Sequence, residues 1–286
     1  MYIPKRMPDC NYFRNLWWNK GEFNPKAKWE AVTLPYKLAV GVTFDEFVRR
    51  SEESNAHGCW EWTNGDVMVY EWPSEPHEIC IRTIYDELLK ACISVIRTNA
   101  RIYSLGSSTT RANGEGKEAD DSYRPKKILA IPPNGSDRYN CPWPNVIVEI
   151  AYSESIDHVT KKVNEYWLRP NRERPSRMRA WHYCVLDRVT RNIFPARTTF
   201  EFGMQNGNGA PLNIQPGSCV INIKLDCLYH DLDPSIQIPR NTLSDPITLD
   251  FFYVQQAIVE LTVNNLFYFL NLAVSVETLS DNSAHI

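Results

Sequence analysis

The order of apolar and polar residues along the chain predicts both strands and helices. From Trp60 to Tyr70, two alternating runs flank Asn64-Gly65, a dipeptide typical of a tight β-hairpin. From His77 to Arg97, apolar residues recur at every third or fourth position, which predicts a long amphipathic helix. A shorter helix is predicted to begin at Thr43, because Thr43 can cap the first turn and Glu46 occupies the third helical position.

The rest of the sequence predicts further strands and helices. The polar stretch 104–118 is interpreted as a loop that joins a strand near 100–105 to a strand that opens at Lys117. The other predicted elements are a central strand at 146–151, a helix at 157–167, a buried strand at 180–187, a half-buried strand at 219–225 and a helix from about 248. The predicted fold class is therefore α/β, of the mixed α+β kind, with a central mixed β-sheet flanked by helices.

Composition narrows the classes of function. The 286 residues carry a formal net charge of −3, which excludes nucleic-acid binding by bulk positive charge but leaves a local basic groove open. The eight cysteines form no CxxC pair and the six histidines form no HExxH or HxxxH pair, which argues against zinc. The small number of glycines, 12, argues against a glycine-rich phosphate loop.

Hydropathy indicates where the protein is located. The first residues contain no apolar run typical of a secretory signal, so we expect an intracellular protein of the cytoplasm or nucleus rather than a secreted one. The most apolar stretch, Leu266 to Val276, is about half of the roughly 20 residues that a membrane-spanning helix needs. We interpret this stretch as core or as a surface for a partner, and we expect no membrane segment.

Two acidic residues and a pair of lysines are the candidates for chemistry. Asp120 precedes a predicted strand, Glu149 lies within the apolar run VIVEIA, and Lys161-Lys162 lie on the next predicted helix. A buried carboxylate needs a partner or a metal, because leaving it unpaired costs several kcal/mol. Two carboxylates suit Mg²⁺, and a nearby lysine can orient a water or stabilise charge on a phosphate. The spacing alone fits a structural ion pair of Glu149 with a helix lysine equally well.

The order of these features from Phe44 to Asp187 resembles the Uma-type branch of the PD-(D/E)xK restriction-endonuclease-like superfamily. The individual motifs are short, and their order and spacing over about half of the chain carry the resemblance. The matching segments are Gly65-Asp66 in the hairpin, Pro73 to His77 before the long helix, Ala119-Asp120 for the Pro-Asp motif, Val148 to Ser153 for the Val-Glu-Val-x-Ser motif, then Asp157, Lys161 or Lys162, Tyr166 and the strand Trp181 to Asp187.

This resemblance implies a metal-dependent endonuclease that hydrolyses phosphodiester bonds of nucleic acid, DNA rather than RNA. It implies that Asp120, Glu149 and the backbone carbonyl of Ile150 bind Mg²⁺, for which Mn²⁺ can substitute. The third position of the superfamily's E-x-K tripeptide is Ala151 here. In the Uma-type branch the lysine is relocated to the following helix, so this departure agrees with the branch.

The catalytic lysine is therefore predicted on the helix that follows Glu149. Lys162 is the first candidate, because Tyr166 follows it by one helical turn, and Lys161 is the alternative. Asp66 and His77 are candidate auxiliary residues of the site. Alternatively, Asp66 is only a carboxylate at the edge of the hairpin, and His77 makes only a structural contact.

A second hypothesis is a module that keeps the nuclease fold but no longer cuts, and that acts in binding or protein assembly. The mildly acidic charge, the Ala119 that replaces a motif proline and the extra segments at both ends support it. The arginines between 169 and 179 fit either a solvated loop or contacts to phosphates.

The chain is expected to contain three regions. Residues 1–41 form an N-terminal extension, residues 42–190 form the nuclease-like core, and residues 191–286 complete or cover the same domain. The two terminal segments are the expected surfaces for a protein partner or for a second copy of the chain.

Overall fold

The structure is a computed structural model. It describes residues 17–19, 33–54, 59–72, 74–107, 109–112, 115–127, 142, 144–150, 155–167, 182–187, 213–230, 232–264 and 273–278. The chain forms two compact units: Met1–Pro73 with Thr109–Glu118 is the first unit, and Ser74–Ser108 with Ala119–Ile286 is the second unit. The two units differ from the expected regions, which ended at residues 41 and 190. The segment 109–118 pairs with the sheet of the first unit and therefore belongs to that unit.

Strands and helices are interspersed along the chain, and every strand pair in the described residues is antiparallel. This confirms the α/β class of the mixed α+β kind. In place of one central sheet with mixed pairing, the described strands form four sheets with antiparallel pairs. In chain order the elements are β1 (Tyr36–Ala39), α1 (Phe44–Ser54), β2 (Trp60–Thr63), β3 (Asp66–Val69), α2 (Glu75–Ala91), β4 (Ile102–Ser104), β5 (Thr109–Ala112), β6 (Glu115–Glu118), β7 (Asp121–Pro125), β8 (Val146–Val148), α3 (Ile156–Lys162), a π-helical turn (Val163–Trp167), β9 (His182–Asp187), β10 (Val220–Ile223), α4 (Leu225–Leu228), β11 (Ile247–Asp250), α5 (Phe252–Asn264) and β12 (Ala273–Thr278).

The first unit is built on a five-stranded sheet in the order β1-β3-β2-β6-β5. The predicted hairpin is confirmed: β2 and β3 pair, and Asn64 and Gly65 both have positive φ, as a tight hairpin turn requires. The predicted start of α1 is also confirmed, because the backbone N–H of Glu46 donates to Thr43 Oγ1 at 3.2 Å. Tryptophans fill the core of this unit, with Trp17 and Trp60 edge to face at 5.4 Å between ring centroids.

The prediction of a loop over residues 104–118 is wrong in its second half, where Thr109–Ala112 and Glu115–Glu118 form strands β5 and β6. β5 and β6 pair from Thr109↔Glu118 to Ala112↔Glu115 and form a hairpin at the end of the strand order. Main-chain hydrogen bonds hold such a pair whatever its side chains are, and polar residues are common on edge strands. The polar residues of this stretch therefore belong to a hairpin at the edge of the sheet and not to a loop.

The second unit contains the three-stranded sheet β4-β7-β8, with α2 packed on one face. The long predicted helix is confirmed as α2, which begins at Glu75, has Pro76 in its first turn and ends at Ala91. A short 3-10 turn at Ile93–Val95 replaces its expected last turn. The buried apolar side chains Cys80, Ile84 and Leu88, each four residues from the next, lie in one core with residues of β7 and β8.

The carboxyl-terminal part contributes to the same core of the second unit. The half-buried strand predicted at 219–225 is confirmed as β10, which pairs with β11. The final helix begins at Phe252 rather than near 248, because residues 247–250 form β11. The strand predicted at 180–187 is confirmed as β9, which pairs with β12. In the part of the chain that the structure describes, no helix is both long and apolar enough to cross a membrane.

Candidate active site

Asp120 and Glu149 lie opposite each other beside the last paired residues of β7 and β8. The two strands pair in the register Asp121↔Val148, so the residue before β7 faces the residue after β8. The backbone N–H of Asp120 donates to the carbonyl of Val148 at 3.2 Å and extends this alignment. Opposed residues of an antiparallel pair have Cβ atoms about 4.5–5.5 Å apart. Glu149 was predicted inside the strand and instead directly follows it.

Glu149 is enclosed by two hydrogen-bond donors from one helical segment. Its side chain is 1% exposed, and Lys162 Nζ donates to Glu149 Oε2 at 2.8 Å. The indole Nε1–H of Trp167 donates to the other oxygen, Oε1, at 2.5 Å. Burial raises the pKa of the Glu149 carboxyl, the Lys162 ammonium opposes that rise, and the charge of Asp120 adds to it. The two carboxylates therefore interact electrostatically.

Asp120 is held by a backbone donor and lies beside a histidine. Its side chain is 5% exposed, and the backbone N–H of Ile150 donates to Asp120 Oδ2 at 2.5 Å. The Nε2 atom of His77 is 3.4 Å from the same Oδ2 atom, and the His77 side chain is 6% exposed. His77 comes from the first turn of α2, so the start of that helix contributes to the site.

The structure separates the two lysine candidates. The ammonium of Lys162 is buried against Glu149, with 3% of the side chain exposed. Lys161 is 67% exposed and lies 3.9 Å from Glu165 on its own helical segment. Of the two, Lys162 has the position from which it can act beside the carboxylates.

The other predicted site residues take different positions. Asp66 belongs to the first unit, where its carboxylate accepts a hydrogen bond from Lys37 at 2.5 Å. For Ile150, the backbone N–H contacts Asp120, and its carbonyl stays a predicted ligand. Asp121, which follows Asp120 and was not a predicted site residue, accepts hydrogen bonds from Ser104, Tyr123 and the N–H of Ser122, and burial raises the pKa of its carboxyl. The segments 151–154 and 168–181, with the predicted arginines, lie outside the described residues.

Asp120 and Glu149 suit a divalent cation that takes its other ligands from waters and substrate phosphates. Within the described segments, no group of three or more His, Cys, Asp and Glu side chains forms a metal cage. Asp120 and Glu149 supply two hard carboxylates whose charges interact unfavourably, an arrangement that a cation between them would relieve. Mg²⁺ is commonly held by one or two carboxylates together with waters and substrate phosphates. The residues therefore fit Mg²⁺ bound in that manner.

Trp167 is the residue that sequence reasoning missed. Tyr166 was chosen as the neighbour of Lys162 because four residues make one α-helical turn, but this segment is a π-helical turn and Trp167 reaches Glu149 instead. One sequence signal could have suggested it, since a buried indole N–H needs an acceptor and Glu149 is the nearest preceding carboxylate in an apolar run.

Comparison with known proteins gives little further information. No protein-family profile matches the chain, and no curated protein matches it. Among solved structures, the chain is similar to a protein from Anabaena variabilis that belongs to DUF820 and is proposed to be a nuclease. The two are 17% identical with a TM-score of 0.33, and the match covers 51% of this chain and 74% of the other. A likeness this low carries no inference about fold or activity.

Proposed function

We propose that the protein is a metal-dependent nuclease that hydrolyses phosphodiester bonds, with DNA as its substrate. The observation that carries this proposal is the pair of opposed, buried carboxylates, Asp120 and Glu149, with the Lys162 ammonium bound to one of them. A buried cluster of this kind is costly to maintain, and perturbed carboxyl groups are concentrated at functional sites. The resemblance of the surrounding motifs to the Uma-type branch supplies the reaction and the substrate class.

Each residue of the cluster has a role that its chemistry allows. Asp120 and Glu149 would hold Mg²⁺ or Mn²⁺, with the carbonyl of Ile150 as a further ligand. When bound, the cation supplies Lewis-acid polarisation of the phosphate and a lower pKa for a coordinated water. Lys162 can orient the attacking water and stabilise the charge that develops on the phosphate. His77 lies where it can hold Asp120 in place.

Titration calorimetry with Mn²⁺ tests the metal site. The two variants are Asp120→Asn and the double variant Glu149→Gln/Lys162→Met, which avoids leaving a buried ammonium without its carboxylate. Both are expected to lose Mn²⁺ binding while they keep the circular dichroism spectrum of the wild type. The control is Glu61→Gln/Lys117→Met, which neutralises the buried ion pair of the first unit and is expected to bind Mn²⁺ normally. Unchanged binding in both site variants would contradict the assignment.

A cleavage assay on supercoiled plasmid DNA then tests the lysine. Lys162→Met is expected to lose cleavage, whereas Lys161→Met is expected to keep it, because Lys161 is exposed on the same helical segment. Loss of cleavage in Lys161→Met alone would show that the two roles were assigned to the wrong residues.

A second candidate function is a nuclease-fold module that binds partners without cutting. The observation in its favour is that each Glu149 oxygen already accepts a hydrogen bond from a side chain, with no three-residue metal cage in the described segments. If the wild type fails to bind Mn²⁺, this candidate is favoured and pull-down with the full chain becomes the next measurement.

A further inference from the structure

Lys162 and Trp167 donate to the two oxygens of one carboxylate although they are five residues apart. Lys162 Nζ bonds Glu149 Oε2 and Trp167 Nε1 bonds Glu149 Oε1. In a regular α-helix, residues five positions apart differ by about 140° around the axis and project from different faces. A regular helix would therefore not bring both side chains to Glu149.

The π-helical turn Val163–Trp167 resolves this mismatch. It directly follows α3, whose last residue is Lys162. In a π-helix each N–H bonds to the carbonyl five residues back, so residues five apart lie roughly above one another. The wider turn thus places Trp167 on the same side of the helical segment as Lys162. Such turns are rare, and where they occur they are frequently associated with functional sites.

Packing fixes the indole in this position. Trp167 and Tyr166 are both almost completely buried, and their rings meet edge to face at 4.8 Å between centroids. A buried aromatic pair of this geometry has little rotamer freedom. The core packing therefore restrains the direction of the Nε1–H bond toward Glu149.

We propose that Trp167 is a positioning residue for Glu149, and that the π-helical turn exists to aim its indole N–H at that carboxylate. Trp167 holds Oε1 while Lys162 holds Oε2, so the plane of the carboxylate is fixed by two donors at once. The role of Glu149 as a metal ligand rests on the proposed function. The hydrogen bond itself does not.

Nuclear magnetic resonance of the indole groups tests the contact directly. The ¹⁵N-labelled chain has nine tryptophans, and the peak that disappears in Trp167→Phe identifies its Nε1–H. In Glu149→Gln/Lys162→Met the acceptor becomes neutral, so this peak is expected to move upfield, because hydrogen bonds to ionised acceptors are the stronger ones. The Glu61→Gln/Lys117→Met control is expected to leave it unmoved. A Trp167 peak that does not move in the site variant would overturn the inference.

Mn²⁺ affinity tests the positioning role. Trp167→Phe keeps an aromatic ring and removes the donor, and it is expected to weaken Mn²⁺ binding by about 10–100-fold, as loss of a hydrogen bond to a metal ligand does elsewhere. The matched control is Trp62→Phe, which removes an indole N–H that donates to the carbonyl of Val42 at 2.8 Å in the first unit. This control is expected to keep the wild-type affinity.

The outcomes separate the two proposals. A lower melting temperature for Trp167→Phe with unchanged Mn²⁺ affinity would overturn the positioning role and leave the proposed function standing. A wild type that binds no Mn²⁺, with a Trp167 peak that still moves, would overturn the proposed function and with it the positioning of a metal ligand.

Discussion

At the scale of single residues, the contact between Glu149 and Lys162 combines stability with chemistry. Both side chains are removed from water, so each charge depends on the other for compensation. Asp120 adds a second negative charge beside Glu149. Lys162 is therefore the group that allows two acidic residues to remain close together in a buried site.

Removing Lys162 should destabilise the protein in a pH-dependent way. Lys162→Met is expected to cost about 3–5 kcal/mol at neutral pH, because Glu149 is left buried without its counter-charge. Burial and Asp120 then raise the pKa of Glu149 with only the Trp167 hydrogen bond to oppose them, so the folded state binds a proton more tightly than the unfolded state. Stability should be retained below the unfolded carboxyl pKa of about 4.3 and lost as pH rises from there toward the raised folded value. Urea unfolding at pH 5 and pH 8 measures this.

Two further variants control this prediction. Lys161→Met removes an exposed neighbour and is expected to change stability by less than about 0.5 kcal/mol at either pH. Glu149→Gln/Lys162→Met removes both charges and is expected to recover most of the loss. Equal loss in the single and double variants would mean that packing, and not charge, accounts for the effect.

At the scale of elements, the β2–β3 hairpin depends on the conformation of its turn. Asn64 and Gly65 have φ values of 49° and 95°, which other residues adopt at a cost. A Cβ added at Gly65 would meet its nearest atoms at 3.8 Å, an ordinary contact, so the space itself is sufficient. The requirement for glycine at this position is therefore one of backbone conformation.

Substitution of Gly65 should follow that conformational cost. Gly65→Ala is expected to destabilise the first unit by about 1–2 kcal/mol. Gly65→Asn is expected to cost less, because asparagine tolerates positive φ. Chemical denaturation followed by tryptophan fluorescence measures both, since the core of the first unit contains Trp17 and Trp60. Equal costs for the two variants would contradict a backbone origin.

The helices, strands and turns differ in whether residues nearby in the sequence are enough to determine them. The Thr43 cap, the hairpin turn and α2 were predicted because neighbouring residues alone determine them. The β5–β6 hairpin and β11 were missed because pairing with a partner strand decides them, and their own periodicity does not show it. Strand ends have the same origin, which is why the strand predicted at 146–151 ends three residues earlier, at Val148, and leaves Glu149 just outside it.

The candidate site could be predicted in part for the same reason. Glu149 was selected because an acidic residue in an apolar run requires compensation wherever it folds. Asp120 and Lys162 were selected because their positions match the Pro-Asp motif and the relocated lysine of the Uma-type branch. Trp167 could not be assigned to Glu149 from the sequence. In an α-helix, Tyr166, four residues after Lys162, would lie on the same side as Lys162. In the π-helical turn, Trp167, five residues after Lys162, takes that position. Their catalytic roles stay predictions until the metal and cleavage measurements are made.

At the scale of the whole molecule, the two units have separate hydrophobic cores. The core of the first unit combines α1, β1, β2 and β3 with Trp17, and the core of the second unit combines α2, β7, β8, β10, α4, β11 and α5. The described members of each core all belong to one unit. Separate cores predict separate cooperative units, because burial of apolar surface is the main source of cooperativity.

Matched leucine truncations test this independence. Leu38 in β1 and Leu228 in α4 are both buried, each in a different core, so Leu38→Ala and Leu228→Ala create comparable cavities. Each is expected to lower the free energy of opening of its own unit by about 2–5 kcal/mol. Hydrogen–deuterium exchange measured by mass spectrometry should then show lost protection in β2 and β3 for the first variant, and in α2 and β10 for the second. Lost protection throughout the chain in either variant would mean that the two cores unfold as one, and that a change in the first unit can reach the carboxylates of the second.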